Sequence, residues 1–92
     1  LMEHMAKAGT ALGLDPATSR TLTLQTALGA ALMAQQSAEP LATLRQNVTS
    51  PGGTTEAAIN TMLEHGIPAT IASALQAAQQ RSVELAQEFG EP

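Results

Sequence analysis

The sequence has no cysteine, tryptophan or tyrosine, and Phe89 is its one aromatic residue. Without cysteine, the chain can form neither a disulfide framework nor a thiolate metal site. Its apolar side chains are mostly those of alanine, leucine, isoleucine and methionine, which suit helices. A chain of 92 residues with such small side chains buries only a modest core of its own. We therefore expect it to need a partner chain.

Basic residues are also scarce, since Lys7, Arg20, Arg45 and Arg81 stand against eight acidic residues and leave a net charge of -4. No basic face is available to neutralise a phosphate backbone, so the composition argues against nucleic-acid binding. The longest apolar runs, such as residues 27–34, fall far short of the roughly 20 residues that a membrane-spanning helix requires. No secretory signal precedes the first helical pattern, and the cytoplasm is the expected compartment.

Helical spacing of apolar residues extends over most of the chain, and no segment shows the sustained two-residue alternation of a strand. Asp15 before Pro16 is typical of a helix start, whereas Gly13 and Gly66 are typical of helix ends. The fold class is therefore all-α, with five helices predicted over residues 1–12, 16–36, 40–47, 55–65 and 68–89. The first helix has no start signal, which predicts that the chain is the remainder of a longer protein.

Two of these helices carry surfaces suited to helix packing. Small residues surround Gly29 in the second helix, and a glycine in a helix interior costs about 1 kcal/mol relative to alanine. We expect another backbone to approach it closely. The fifth helix has a seam of residues spaced for packing along its length, which consists of Ile71, Leu75, Ala78, Ser82, Leu85 and Phe89. We interpret it as a helix buried in a five-helix bundle, and we expect an intertwined homodimer.

A glycine-rich loop directly precedes the fourth helix. The amides of Gly53, Thr54, Thr55 and Glu56 lie at the helix start, where amides lack intrahelical acceptors and the helix dipole adds positive charge. The hydroxyls of Ser50, Thr54 and Thr55 can add hydrogen bonds. Such a loop can bind a carboxylate or a phosphate. It can equally be an ordinary turn with a threonine N-cap, and chemistry alone does not decide between the two.

This loop and the helix after it resemble a family signature. Residues 48–59 have the sequence Val-Thr-Ser-Pro-Gly-Gly-Thr-Thr-Glu-Ala-Ala-Ile, which resembles the C-terminal signature of pyrroline-5-carboxylate reductases. Residues 24–31 resemble the helix that precedes the signature in that family, and residues 81–85 resemble its terminal helix. The resemblance covers nearly the whole chain.

The resemblance implies a fold, a reaction and a partner. Residues 1–92 would form the C-terminal dimerisation and substrate-binding domain, similar to the C-terminal domain of 6-phosphogluconate dehydrogenases. The reaction would be hydride transfer from NADPH or NADH to 1-pyrroline-5-carboxylate, which gives L-proline in proline biosynthesis. An N-terminal Rossmann domain would hold the cofactor. The partner would be a second copy of the chain, in an interlocked dimer that can associate further.

The resemblance also implies the site residues. The substrate's carboxylate would lie on the loop, at Ser50, Gly52, Gly53, Thr54 and Thr55. Thr55 is the candidate catalytic residue, whose hydroxyl would orient the imine nitrogen or relay a proton through a linked water.

The chain departs from the family pattern, because it contains no Gly-x-Gly-x-x-Gly after a strand and no Gly-Pro-Ala stretch ahead of its first helix. Alone, it should bind no cofactor and catalyse no reduction. His4 and His65 lack the spacing of metal ligands, so no metal site is predicted. The alternative interpretation is a non-enzymatic helical dimerisation or interaction module, in which the loop is only a turn.

Overall fold

The computed structural model of the protein describes residues 1–90, and these residues form five α-helices and no strand. The helices are α1 (Met2–Ala11), α2 (Pro16–Gln35), α3 (Leu41–Asn47), α4 (Thr54–Glu64) and α5 (Ile67–Phe89). The all-α class is confirmed, and each predicted helix boundary lies within one residue of the observed one. Within the described residues, no helix is both long and apolar enough to cross a membrane.

The helix ends follow local signals. Asp15 is the N-cap of α2, and its carboxylate accepts hydrogen bonds from the amides of Ala17 at 3.1 Å and Thr18 at 3.3 Å. Gly13 and Gly66 have φ angles of 113° and 72°, in the left-handed region that residues with a Cβ rarely adopt. These two glycines end α1 and α4 through backbone geometry.

Removing the cap of α2 should weaken the fold measurably. We expect Asp15→Ala to lower the free energy of unfolding by about 1 kcal/mol, because two first-turn amides lose their acceptor. Asp15→Asn is the matched control, since asparagine caps almost as well and should stay close to the wild-type protein. Urea unfolding at one fixed protein concentration measures both variants. An equal loss in the two would show that the charge matters and the cap does not.

The chain divides into two compact units, and contacts between α1 and α2 hold together the first, residues 1–47. Ser19 and Thr23 are the buried side chains of this unit, at 2% and 7% exposure. The Ser19 hydroxyl donates a hydrogen bond of 2.7 Å to the carbonyl of Ala6 on α1. A Cβ at Gly9 would overlap the Ser19 Oγ, so glycine at this position lets the helices approach. The close packing of this unit is therefore polar and depends on a glycine.

The second unit begins at Val48 and contains the glycine-rich loop, α4 and α5. The two helices contact each other, but no residue described in this unit is buried. On α5, Arg81 forms ion pairs with Glu84 at 3.8 Å and Glu88 at 3.4 Å. Exposed pairs of this kind add little stability. The described part of the unit thus has no core of its own.

Among residues 1–90, no apolar side chain is buried. Leu28, Leu75 and Phe89 are 53%, 66% and 82% exposed. The burial expected for α5 is therefore not achieved within one chain, because α4 leaves the seam open. A Cβ built on Gly29 likewise meets no described atom within 4 Å beyond its own helix backbone. The close approach expected at Gly29 stays a prediction about a partner chain.

Candidate functional site

The candidate loop contains a type II β-turn formed by Ser50, Pro51, Gly52 and Gly53. The Gly53 amide donates a hydrogen bond of 3.0 Å to the Ser50 carbonyl, which closes the turn. Pro51 stands at the second position, where its ring presets the φ angle that the turn needs. Gly52 stands at the third with φ 73°, the left-handed value that type II requires. Proline and glycine in this order therefore fix the path of the chain into α4.

Gly53 is the N-cap of α4, in an extended conformation with φ -86° and ψ 177°. Its amide was expected to be one of the free donors, but it donates to Ser50 within the turn. A Cβ at position 53 would lie 3.1 Å from the Ser50 carbonyl oxygen, tighter than ordinary contact. Gly53 therefore supports a compact entry into the helix, and its amide donates within the turn.

The remaining first-turn donors are available. The first backbone bond into α4 runs from the Ala57 amide to the Gly53 carbonyl at 3.2 Å, so the amides of Thr54, Thr55 and Glu56 precede it. No side chain caps this helix start. Thr54 and Thr55 are exposed, as is Ser50 at the head of the turn. The structure thus brings the predicted hydroxyl and amide donors together in one short segment that suits an anion.

The sequence-based prediction counted the Glu56 amide among the donors at the helix start but gave the Glu56 side chain no role. Its carboxylate oxygen Oε1 accepts a hydrogen bond of 2.9 Å from the Gly52 amide. The signal was present in the sequence, because a glutamate three residues after an N-cap commonly accepts from the backbone just ahead of the helix. Glu56 also lies in the first turn of α4, where the helix dipole favours a negatively charged carboxylate.

A groove of about 460 Å³ lies elsewhere, in the first unit, between α1 and α2. Ala6, Thr23 and Leu24 are among the residues that line it, and none of the five predicted loop residues does. Among residues 1–90, no three histidine, aspartate or glutamate side chains are grouped so that they could hold a metal ion. The loop is therefore the candidate site in which predicted residues and observed geometry coincide.

Comparison with known proteins identifies the family. Residues 1–85 match the family model described as pyrroline-5-carboxylate reductase dimerisation. The chain is 54% identical over 91 residues to a pyrroline-5-carboxylate reductase of Pseudomonas aeruginosa, covering 99% of this chain and 33% of that protein. It is 45% identical over 89 residues to the Vibrio alginolyticus pyrroline-5-carboxylate reductase, covering 96% of this chain and 33% of the relative.

A solved structure agrees with these relatives. The crystal structure of Plasmodium falciparum pyrroline carboxylate reductase with NADP bound matches with a TM-score of 0.85 and 32% sequence identity. The match covers 88% of this chain and 31% of that one. The chain thus spans about a third of the length of the proteins it matches. From its match over residues 1–85, the chain belongs to the pyrroline-5-carboxylate reductase dimerisation family.

Proposed function

We propose that residues 1–92 are the C-terminal dimerisation and substrate-binding domain of an enzyme that reduces 1-pyrroline-5-carboxylate to L-proline with NADPH or NADH. The family match over residues 1–85 carries this proposal, and the relatives reported above are named as reductases of this substrate. The non-enzymatic interaction module is not favoured, because proteins with this domain bear the reductase name. The cytoplasm stays the predicted compartment.

The homodimer is supported by the surface that one chain leaves open. Among residues 1–90 no apolar side chain is buried, and the large apolar side chains of α2 and α5 are exposed. Obligate homodimers have apolar interfaces that resemble a domain core. A second copy that packs against these helices would supply the missing core.

The substrate's carboxylate would bind at the start of α4. The carboxylate would lie against the loop residues Ser50, Gly52, Gly53, Thr54 and Thr55. The hydroxyl of Ser50 and the first-turn amides of Thr54 and Thr55 would donate to it. Thr55 would direct its hydroxyl to the imine nitrogen and orient it or relay a proton through a water. The contribution of this domain to catalysis would be the binding and orientation of the substrate.

The described residues do not fit the nicotinamide cofactor. A dinucleotide site of the Rossmann type needs a strand followed by a glycine-rich turn and a helix, whereas residues 1–90 contain no strand. NADP is bound in the Plasmodium falciparum relative, a chain about three times as long as the matched part. We therefore assign cofactor binding to a part of the enzyme outside this chain, and we expect the isolated chain to be inactive.

Loss of the loop hydroxyls should impair the full-length enzyme. We expect Ser50→Ala and Thr55→Ala each to lower kcat/KM for the imine by about tenfold or more, because a hydrogen bond to a charged or reacting group is lost. Thr61→Ala is the matched control, since that hydroxyl donates to the Ala57 carbonyl within α4 at 3.0 Å. Steady-state kinetics with circular dichroism tests all three. Wild-type kinetics in both loop variants would remove the proposed site.

A further inference from the structure

The Glu56 side chain accepts a hydrogen bond from the turn of the glycine-rich loop, here called the substrate loop. It is half-buried at the third position of α4, and its Oε1 lies 2.9 Å from the Gly52 amide nitrogen. The bond is charge-assisted, because the acceptor is a carboxylate, and such bonds are roughly twice as strong as neutral ones. A hydrogen bond to this amide, whether its acceptor is a carboxylate or a neutral group, can bias the loop between conformations.

The bonded amide belongs to the peptide group that defines the turn type. Type I and type II turns differ mainly in the orientation of the peptide that joins their second and third residues, here Pro51 and Gly52. That peptide carries the Gly52 N–H, which Glu56 accepts. Rotation of the peptide to the type I form would turn this N–H away and break the bond. Glu56 therefore adds to the preference of Pro51 and Gly52 for the type II form, with Gly52 at φ 73°.

We propose that Glu56 is a positioning residue of the substrate loop. It keeps Ser50 in a fixed place relative to the start of α4, so that its hydroxyl and the first-turn amides act on the same carboxylate. This role rests on the proposed function, because it presumes that the loop binds the substrate. The role requires an acceptor at position 56 and does not require a negative charge. The charge itself disfavours a second carboxylate nearby.

Kinetics of the full-length enzyme test whether the hydrogen-bond acceptor or the negative charge of Glu56 matters. Glu56→Ala removes both and should raise KM for the imine by about five- to tenfold, with kcat unchanged, because ordering of the loop is lost. Glu56→Gln keeps an acceptor for the Gly52 amide and should have a KM at or below that of the wild-type enzyme. Glu64→Ala, at the other end of α4, removes the same group without touching the turn and should change nothing.

Each outcome decides the proposal. An unchanged KM in Glu56→Ala, an equal defect in Glu56→Gln, or a loss of helix content or dimer in Glu56→Ala would overturn it. The Ser50→Ala and Thr55→Ala variants distinguish failure of the proposed role of Glu56 from failure of the proposed substrate site. If they raise KM while Glu56→Ala does not, only the role of Glu56 fails. If Ser50→Ala and Thr55→Ala also leave KM unchanged, the proposed binding of the substrate at this loop fails together with the role of Glu56.

Discussion

Replacing Leu75 with glutamate is expected to convert a folded dimer into a largely unfolded monomer. Leu75 lies in the middle of the α5 seam and is 66% exposed in one chain, yet no apolar side chain among residues 1–90 is buried. In the proposed homodimer the pair of chains supplies the core, and we expect the seam to form part of it. The loss is about 4 kcal/mol or more, from the burial of a leucine and from the desolvation of an unpaired carboxylate.

Light scattering across a dilution series, together with circular dichroism, measures this effect. The wild-type chain should remain a dimer of roughly twice its 9.4 kDa. Gln80→Glu is the matched control, because it adds the same charge to an exposed position on the opposite side of α5 from the seam. It should stay dimeric. A dimeric, fully helical Leu75→Glu variant would show that the seam does not form the interface.

The helices could be predicted from the sequence because their boundaries depend on local chemistry. Asp15 caps two amides that follow it within three residues, and Gly13 and Gly66 adopt left-handed φ angles that few other residues tolerate. These effects act over a single turn of chain, so a pattern of neighbouring residues contains them. The same holds for the turn before α4, where Pro51 and Gly52 select type II.

The packing of the helices could not be predicted in this way. The seam of α5 was correctly placed on a helix, but the sequence does not distinguish a surface covered by the same chain from one covered by a partner. The contact of α1 with α2 was missed, because it depends on a serine and a glycine ten residues apart and not on apolar periodicity. Only the fold brings Ser19 against Gly9, so no local pattern indicates it.

The residues of the candidate site could be predicted from the sequence, but some of their hydrogen bonds could not. Its glycines and hydroxyls were predicted, because they are consecutive and the resemblance to the family names them. The hydrogen bonds of the Gly53 amide and of the Glu56 carboxylate were not predicted, because they depend on how the turn closes. A glutamate in the first turn is so common in helices that its presence alone did not suggest a bond to Gly52.

Gly9→Val is expected to destabilise the first unit by about 3 kcal/mol, the combined cost of overpacking and of a broken buried hydrogen bond. A Cβ at position 9 overlaps the Ser19 Oγ and would lie 3.4 Å from Leu14 Cδ1, and a branched side chain adds two further carbon atoms to this crowded position. To make room, Ser19 must give up its hydrogen bond to the Ala6 carbonyl, and at 2% exposure its hydroxyl finds no water in exchange.

Gly9→Ala, made in the wild-type protein and in the Ser19→Ala variant, tests whether the clash with the Ser19 hydroxyl causes the loss of stability. Gly9→Ala alone should destabilise the protein despite the better helix propensity of alanine, because its Cβ already displaces the Ser19 hydroxyl. In the Ser19→Ala background that atom is gone, and the same substitution should become neutral or stabilise by up to about 1 kcal/mol. Urea unfolding at one fixed protein concentration gives the four free energies, since dimer stability depends on concentration. An equal effect of Gly9→Ala in both backgrounds would show that the two residues are not coupled and that the helices adjust elsewhere.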